Sequence, residues 1–131
     1  MFVHLETDSN SLYDRVGGEP FFTALVDRFY AGVATDPLLR PLYPADLAPP
    51  KRHLALFLAQ YWGGPHTYSA ERGHPRLRLR HLPFRIGQPE REAWLQHMRG
   101  AVDSSAASPA DKRALLDYFE TAATSLVNAG A

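Results

Sequence analysis

The stretch Pro20-Phe21-Phe22-Thr23-Ala24-Leu25-Val26-Asp27-Arg28-Phe29-Tyr30-Ala31-Gly32-Val33 decides the fold class. Phe22, Leu25, Val26, Phe29, Tyr30 and Val33 recur at three- and four-residue spacing, which is the apolar stripe of a helix that buries one face. Pro20 suits its first turn, where a missing N–H costs nothing. Just upstream, Gly17-Gly18 can turn the backbone through φ values closed to other residues, so a short helix over 11–16 ends at a sharp corner.

Working outward, the same period returns. Ala48 to Trp62 is amphipathic through Leu54, Phe57, Leu58 and Tyr61, and Gly63-Gly64-Pro65 stops it. Pro89 opens a further helix with Trp94, His97, Met98 and Ala101 on its inner face and Glu90 and Glu92 near its positive end. Ser108, Pro109 and Asp111 form a capping start for the last helix, whose stripe is Leu115, Leu116, Phe119, Ala122, Ala123, Leu126 and Val127. Between Gly63 and Gly73 periodicity is weak, and the expectation is a loop about ten residues long. Arg76-Leu77-Arg78-Leu79-Arg80 alternates with period two, as an edge strand would. A lone strand has no partner elsewhere in the chain, and Pro75 and Pro83 bracket a short helix instead. The sum is an all-α domain of six or seven helices.

The 131 residues are enough for one domain, and 45% hydrophobic residues with seven Phe, six Tyr and two Trp supply a core. Fourteen basic side chains balance fourteen acidic ones, which removes any overall electrostatic case for nucleic acid or a membrane surface. The absence of Cys excludes disulfides, thiolate zinc sites and iron–sulfur clusters. No stretch approaches a membrane span and MFVHLETDSN lacks the pattern of a signal peptide, so the expected location is cytoplasmic. Charge is uneven locally. Residues 72–89 hold five Arg and no acid.

Six His are present and none is spaced as in a His-Glu-x-x-His metal site; most are expected to be solvated or simply packed. His81 stands apart, near the end of the Arg-rich helix, with Leu77 a turn earlier and Leu82, Pro83 and Phe84 after it. A neutral imidazole among apolar walls, with cations at the rim, is what a haem iron and two propionates require. The Arg cluster reads equally as a solvated face or as a carboxylate or phosphate trap. Tyr30, Tyr43 and Trp94 are ordinary core aromatics one by one, but three hydrogen-bond donors in a dry pocket would hold a ligand with partial negative charge. Spacing alone does not bring them together.

These residues also carry a resemblance. Tyr13-Asp14-Arg15-Val16-Gly17-Gly18, Arg28-Phe29-Tyr30, Leu42-Tyr43-Pro44, Phe57-Leu58-Ala59-Gln60-Tyr61-Trp62-Gly63-Gly64-Pro65 and Thr67-Tyr68-Ser69 resemble the truncated haemoglobins, over about residues 11–128. Arg72-Gly73-His74-Pro75-Arg76-Leu77-Arg78-Leu79-Arg80-His81-Leu82-Pro83-Phe84-Arg85-Ile86, followed by Trp94-Leu95, is similar to group II of that family. The resemblance implies a two-on-two helical sandwich around one haem b, over 11–131, with 1–10 a flexible extension. It implies His81 as the proximal iron ligand, Tyr30, Tyr43 and Trp94 around the bound gas, and Leu54 and Phe57 as apolar distal walls. Tyr68 and one or more of Arg76, Arg78 and Arg80 would lie near the propionates. Pro50 stands where a gating residue is usual, and it has no side-chain donor.

The function implied is binding of dioxygen and other diatomic gases at a five-coordinate iron with slow release. A haem enzyme performing nitric oxide dioxygenation or peroxidase-like chemistry uses the same residues. A haem-free helical interaction domain is a third reading, viable only if the aromatics fill their own core. No nucleic-acid partner and no integral membrane association are expected; a reductase partner and homo-oligomerisation are left open.

Overall fold

Ser11 caps the first described helix. Its hydroxyl accepts from the Asp14 N–H at 3.2 Å and caps α1 (Leu12–Arg15) in a computed structural model that describes residues 11–129. The extension expected over 1–10 lies outside the described residues. The chain reverses through Gly17 and Gly18, at φ 96° and 83°, a region that disfavours any residue with a Cβ. It then enters α2 (Glu19–Val33), where all six residues of the sequence stripe are buried.

A 3-10 turn (Arg40–Leu42) leads to α3 (Ala48–Tyr61), then α4 (Thr67–Arg72), α5 (Leu77–His81), α6 (Gln88–Asp103) and α7 (Pro109–Leu126). No described residue is in a strand. α2 packs against both α3 and α6, and α6 against α7, so two antiparallel pairs lie one on the other. Phe22 and Phe29 of α2 and Phe119 of α7 sit in the middle at 0%, 0% and 1% exposure, each adding roughly 1.5–3 kcal/mol of apolar burial. Among the described residues no helix is long and apolar enough to cross a membrane.

Three local expectations change. The ten-residue loop contains α4, because Gln60 reaches across to it: the Gln60 amide oxygen accepts from the Ser69 N–H at 3.0 Å and the amide N–H donates to Ser69 Oγ at 2.7 Å. Tyr68 of α4 is buried. On α6 the buried face is Leu95, Met98, Ala101 and Val102, with Trp94 and His97 half-buried beside it. On α7, Val127 falls just beyond the helix end.

Asp111 adds a contact that periodicity does not show. Its backbone N–H donates to the Ser108 cap, while its carboxylate, nearly buried, takes a forked pair of bonds from the Arg15 guanidinium at 3.0 and 3.2 Å. This ties α1 to the start of α7. Where α2 crosses α6, Gly32 leaves room for His97: a Cβ there would stand 2.3 Å from the imidazole Nδ1. Nε2 of His97 donates to Asp36 at 2.7 Å, since a carboxylate can only accept.

Candidate functional site

The helices do not close on one another completely. A largely apolar cavity of ≈ 380 Å³ opens between α2, α3, α5, α6 and α7, within the usual size of cofactor pockets. The large aromatics therefore do not fill the whole interior.

α3 contributes one wall from a single face. Pro50, His53, Leu54, Phe57 and Leu58 line the cavity, at the i, i+3, i+4, i+7, i+8 positions of one stripe. α5 and the loop after it supply Leu77, Arg80, His81, Phe84 and Ile86. Leu77 and His81 are one turn apart, and the imidazole Nδ1 lies 2.6 Å from the Leu77 carbonyl oxygen. A carbonyl only accepts, so Nδ1 carries the proton and Nε2 keeps its lone pair. Nε2 makes no protein hydrogen bond among the described residues. Such an imidazole, on an apolar cavity wall with its tautomer fixed by the backbone, is equipped to bind one metal ion through Nε2.

The short helix that carries His81 has a strained entrance. Arg76 is the one described non-glycine residue at positive φ, 46°, and its N–H donates to His74 Nδ1. Beyond α5, the Asn128 side chain clamps the loop: its amide N–H groups donate to the His81 carbonyl at 3.2 Å and the Phe84 carbonyl at 2.8 Å, and its oxygen accepts from the Ile86 N–H at 2.8 Å.

Tyr30, Tyr43 and Trp94 do come together. The Tyr30 and Tyr43 rings meet edge-on at 5.4 Å, and Phe29 packs edge-on against both Tyr30 and Trp94. Burial, and then the neighbouring Tyr43, push the Tyr30 phenol well above its ordinary range. Burial also raises Tyr43, against the opposing pull of hydrogen bonds from the Trp94 N–H and the Tyr30 hydroxyl. All three side chains stay neutral donors. All three side chains line the cavity.

Tyr43 is held from outside the pocket. Asp36 Oδ1 accepts from the Leu38 and Leu39 N–H groups at 2.9 and 3.3 Å, which sets the turn before it. Arg40 fastens the following residues by donating to the carbonyls of Tyr43, Pro44 and Ala45. The His97 N–H, then the Leu38 N–H, hold the Asp36 carboxyl below the ordinary carboxylate range.

At the rim, only some of the basic cluster faces inward. Arg80 lines the cavity; Arg76 and Arg78 do not, and the Arg78 guanidinium donates instead to the Ser125 carbonyl. Sequence reasoning passed over two residues that do line it, Arg72 and His53. Arg72 Nη1 donates to His53 Nε2 at 3.2 Å and its guanidinium lies 6.0 Å from the centre of the Tyr68 ring. His53 is driven below its ordinary pKa by burial and by the Arg72 and Arg52 charges, so it is neutral at pH 7. Arg72 and Arg80 have no acidic partner among the described residues. The signal for His53 was its place in the α3 stripe; nothing local separates Arg72 from its neighbours.

A sandwich of two helix pairs, with a largely apolar cavity and one unengaged imidazole lone pair on its wall, defines a small globin. Residues 11–128 match the bacterial-like globins, and the chain belongs to that family, whose members are haem b proteins with the two-on-two truncated globin fold. Within it the similarity is to group II. The group 2 truncated hemoglobin YjbI of Bacillus subtilis is 42% identical over 119 residues, spanning 91% of this chain and 89% of that protein. The X-ray structure of a thermostable hemoglobin from the actinobacterium Thermobifida fusca superposes with a TM-score of 0.90 at 54% identity, covering 92% of this chain and 99% of that one. A truncated oxygen-avid haemoglobin from Bacillus subtilis superposes at 0.86 with 42% identity, covering 91% and 100%.

Proposed function

We propose that the chain binds haem b in this cavity through His81 Nε2 and holds dioxygen there with slow release. The observation that carries the reading is the His81 imidazole, fixed by the Leu77 carbonyl at 2.6 Å, with an unengaged Nε2 on an apolar wall. Haem, when bound, supplies an iron with an open axial position for a diatomic gas. The protein's own residues do the rest. Leu54, Phe57, Leu77 and Phe84 keep water from the cavity, and Arg72 and Arg80, whose guanidinium groups have no acidic partner among the described residues, offer charge to two propionates, with Tyr68 beside Arg72. Tyr43 presents a hydroxyl hydrogen to the guest while Trp94 and Tyr30 hold that hydroxyl in place. Pro50 lines the same wall without a donor, so polar contact with the guest falls to the Tyr and Trp groups. The oxygen-avid relative from Bacillus subtilis is in keeping with this assignment.

The purified protein, given haemin, is expected to show a Soret band and a five-coordinate ferrous spectrum. His81→Ala is expected to lose that spectrum and regain it with imidazole in solution. An imidazole-ligated ferrous spectrum in the His81→Ala protein without added imidazole would exclude His81 as the ligand.

A further inference from the structure

α5 presents the imidazole on which the site depends, yet apolar burial does little to hold it. None of its five residues is buried, and Leu77 and His81 are only half-buried. The chain enters it through the left-handed turn at Arg76, which costs free energy rather than supplying it. Hydrogen bonds must therefore fix the helix in space. At its upstream end the Arg80 guanidinium donates to the Pro75 and Arg72 carbonyls at 2.7 and 3.1 Å, which ties α5 only to the segment just before it.

The downstream end has a distant partner. The helix closes at Leu82 in ordinary right-handed geometry, without the glycine that commonly ends one, so its exit has no built-in stop. The end of α7 supplies the stop. Asn128 gives its amide nitrogen to the His81 and Phe84 carbonyls and takes the Ile86 N–H on its oxygen, while the backbone N–H groups of Asn128 and Ala129 both donate to the Ile86 carbonyl at 2.9 and 3.0 Å. Only a primary amide carries two donor hydrogens and an acceptor on one rigid plane. From this clamp to the imidazole the path is short. Asn128 holds the His81 carbonyl, and the His81 ring is bonded back to the Leu77 carbonyl on the same helix, so Nε2 moves only as far as the α5 backbone moves.

We propose that Asn128 is a positioning residue for the iron ligand: it pins the downstream end of α5 and so fixes where His81 Nε2 stands, which governs the strength of the iron–imidazole bond and the rate of haem loss. The inference rests on haem binding through His81.

Resonance Raman of the haem-loaded, deoxygenated ferrous protein reads the iron–imidazole stretch, and transfer of ferric haem to excess apomyoglobin reads haem loss. Asn128→Ala is expected to broaden and shift the stretch and to speed haem loss by about 3- to 10-fold, the scale of one net hydrogen bond. Asn128→Asp keeps an acceptor for the Ile86 N–H but turns a carboxylate toward the His81 and Phe84 carbonyls, so it is expected to be at least as slack. Ser108→Ala removes the cap at the other end of α7 and is expected to lower the unfolding temperature with the stretch unchanged. A parent-like stretch in either Asn128 variant, or an equal shift in Ser108→Ala, would overturn the proposal and leave haem binding at His81 intact. If Asn128→Ala takes up no haem, hydrogen exchange in the two apoproteins decides: faster exchange confined to amides within 82–87 supports the clamp, and unchanged exchange there overturns it. A parent protein without an iron–imidazole stretch ends both readings.

Discussion

Removing one oxygen atom at Tyr43 tests how the pocket holds its guest. In the function proposed above, the Tyr43 hydroxyl, beside Tyr30 and Trp94 on the cavity wall, gives its hydrogen to bound dioxygen, and those two neighbours orient it. A hydrogen bond to a partner with charge is worth roughly 1.5–3 kcal/mol, and the rate scale is tenfold per about 1.4 kcal/mol. Taken alone, Tyr43→Phe would speed dioxygen release by about 10- to 150-fold. The same change frees two buried donors. One of them turning to the guest returns roughly 1 kcal/mol, so the expected net effect is about 3- to 30-fold. Trp94→Phe removes a bond that orients Tyr43 and is expected to speed release by about 2- to 10-fold. Because Tyr43 and Trp94 line one pocket and act on one guest, the double variant is expected to depart from the sum of the singles by at least about 0.5 kcal/mol. Stopped-flow displacement of dioxygen by carbon monoxide in the four proteins measures the cycle. Unchanged release in both singles, or strict additivity, would refute a shared network at Tyr43.

Two further outcomes concern the crossing of α2 and α6. Gly32→Ala should gain helix propensity of about 1 kcal/mol, but its Cβ meets His97 at 2.3 Å and overpacking costs roughly 1–3 kcal/mol, so thermal unfolding is expected several degrees lower; a higher Tm would show that His97 moves aside freely. Asp36 titrates below its ordinary range in the folded protein, so its contribution is in full force above about pH 3.9 and is lost as pH falls through the depressed folded value. Urea unfolding at pH 6 and pH 3 should show His97→Phe losing about 1 kcal/mol less on acidification than the parent chain, and equal losses would remove Asp36–His97 as the cause.

What the chain order discloses depends on how local each cause is. The α2 stripe was legible because six apolar residues at helical spacing have one favourable arrangement, and Ser108 was legible as a cap because its partner is three residues away. The short helix bearing His81 followed from its two prolines. α4 was not legible, since it is fastened by Gln60 and by burial of Tyr68, neither visible in its own six residues. The same limit applies at the rim. Period-two spacing treats Arg76, Arg78 and Arg80 alike, but the left-handed turn at Arg76 and the Ser125 carbonyl draw two of them away, while Arg72 comes in across α4. Convergence of Tyr30, Tyr43 and Trp94 likewise required the packing of α2 on α6 and the Asp36 turn, contacts that bridge 61 residues.

The Asn128 clamp carries a consequence for the order of events in biosynthesis. The segment that presents the imidazole is fastened by a residue that leaves the ribosome 47 residues later. Until Asn128 emerges, the His81 and Phe84 carbonyls and the Ile86 N–H lack their lock, even though α2 and α3 are long since made. A nascent chain therefore holds the segment around His81 slack until Asn128 has emerged to fasten it.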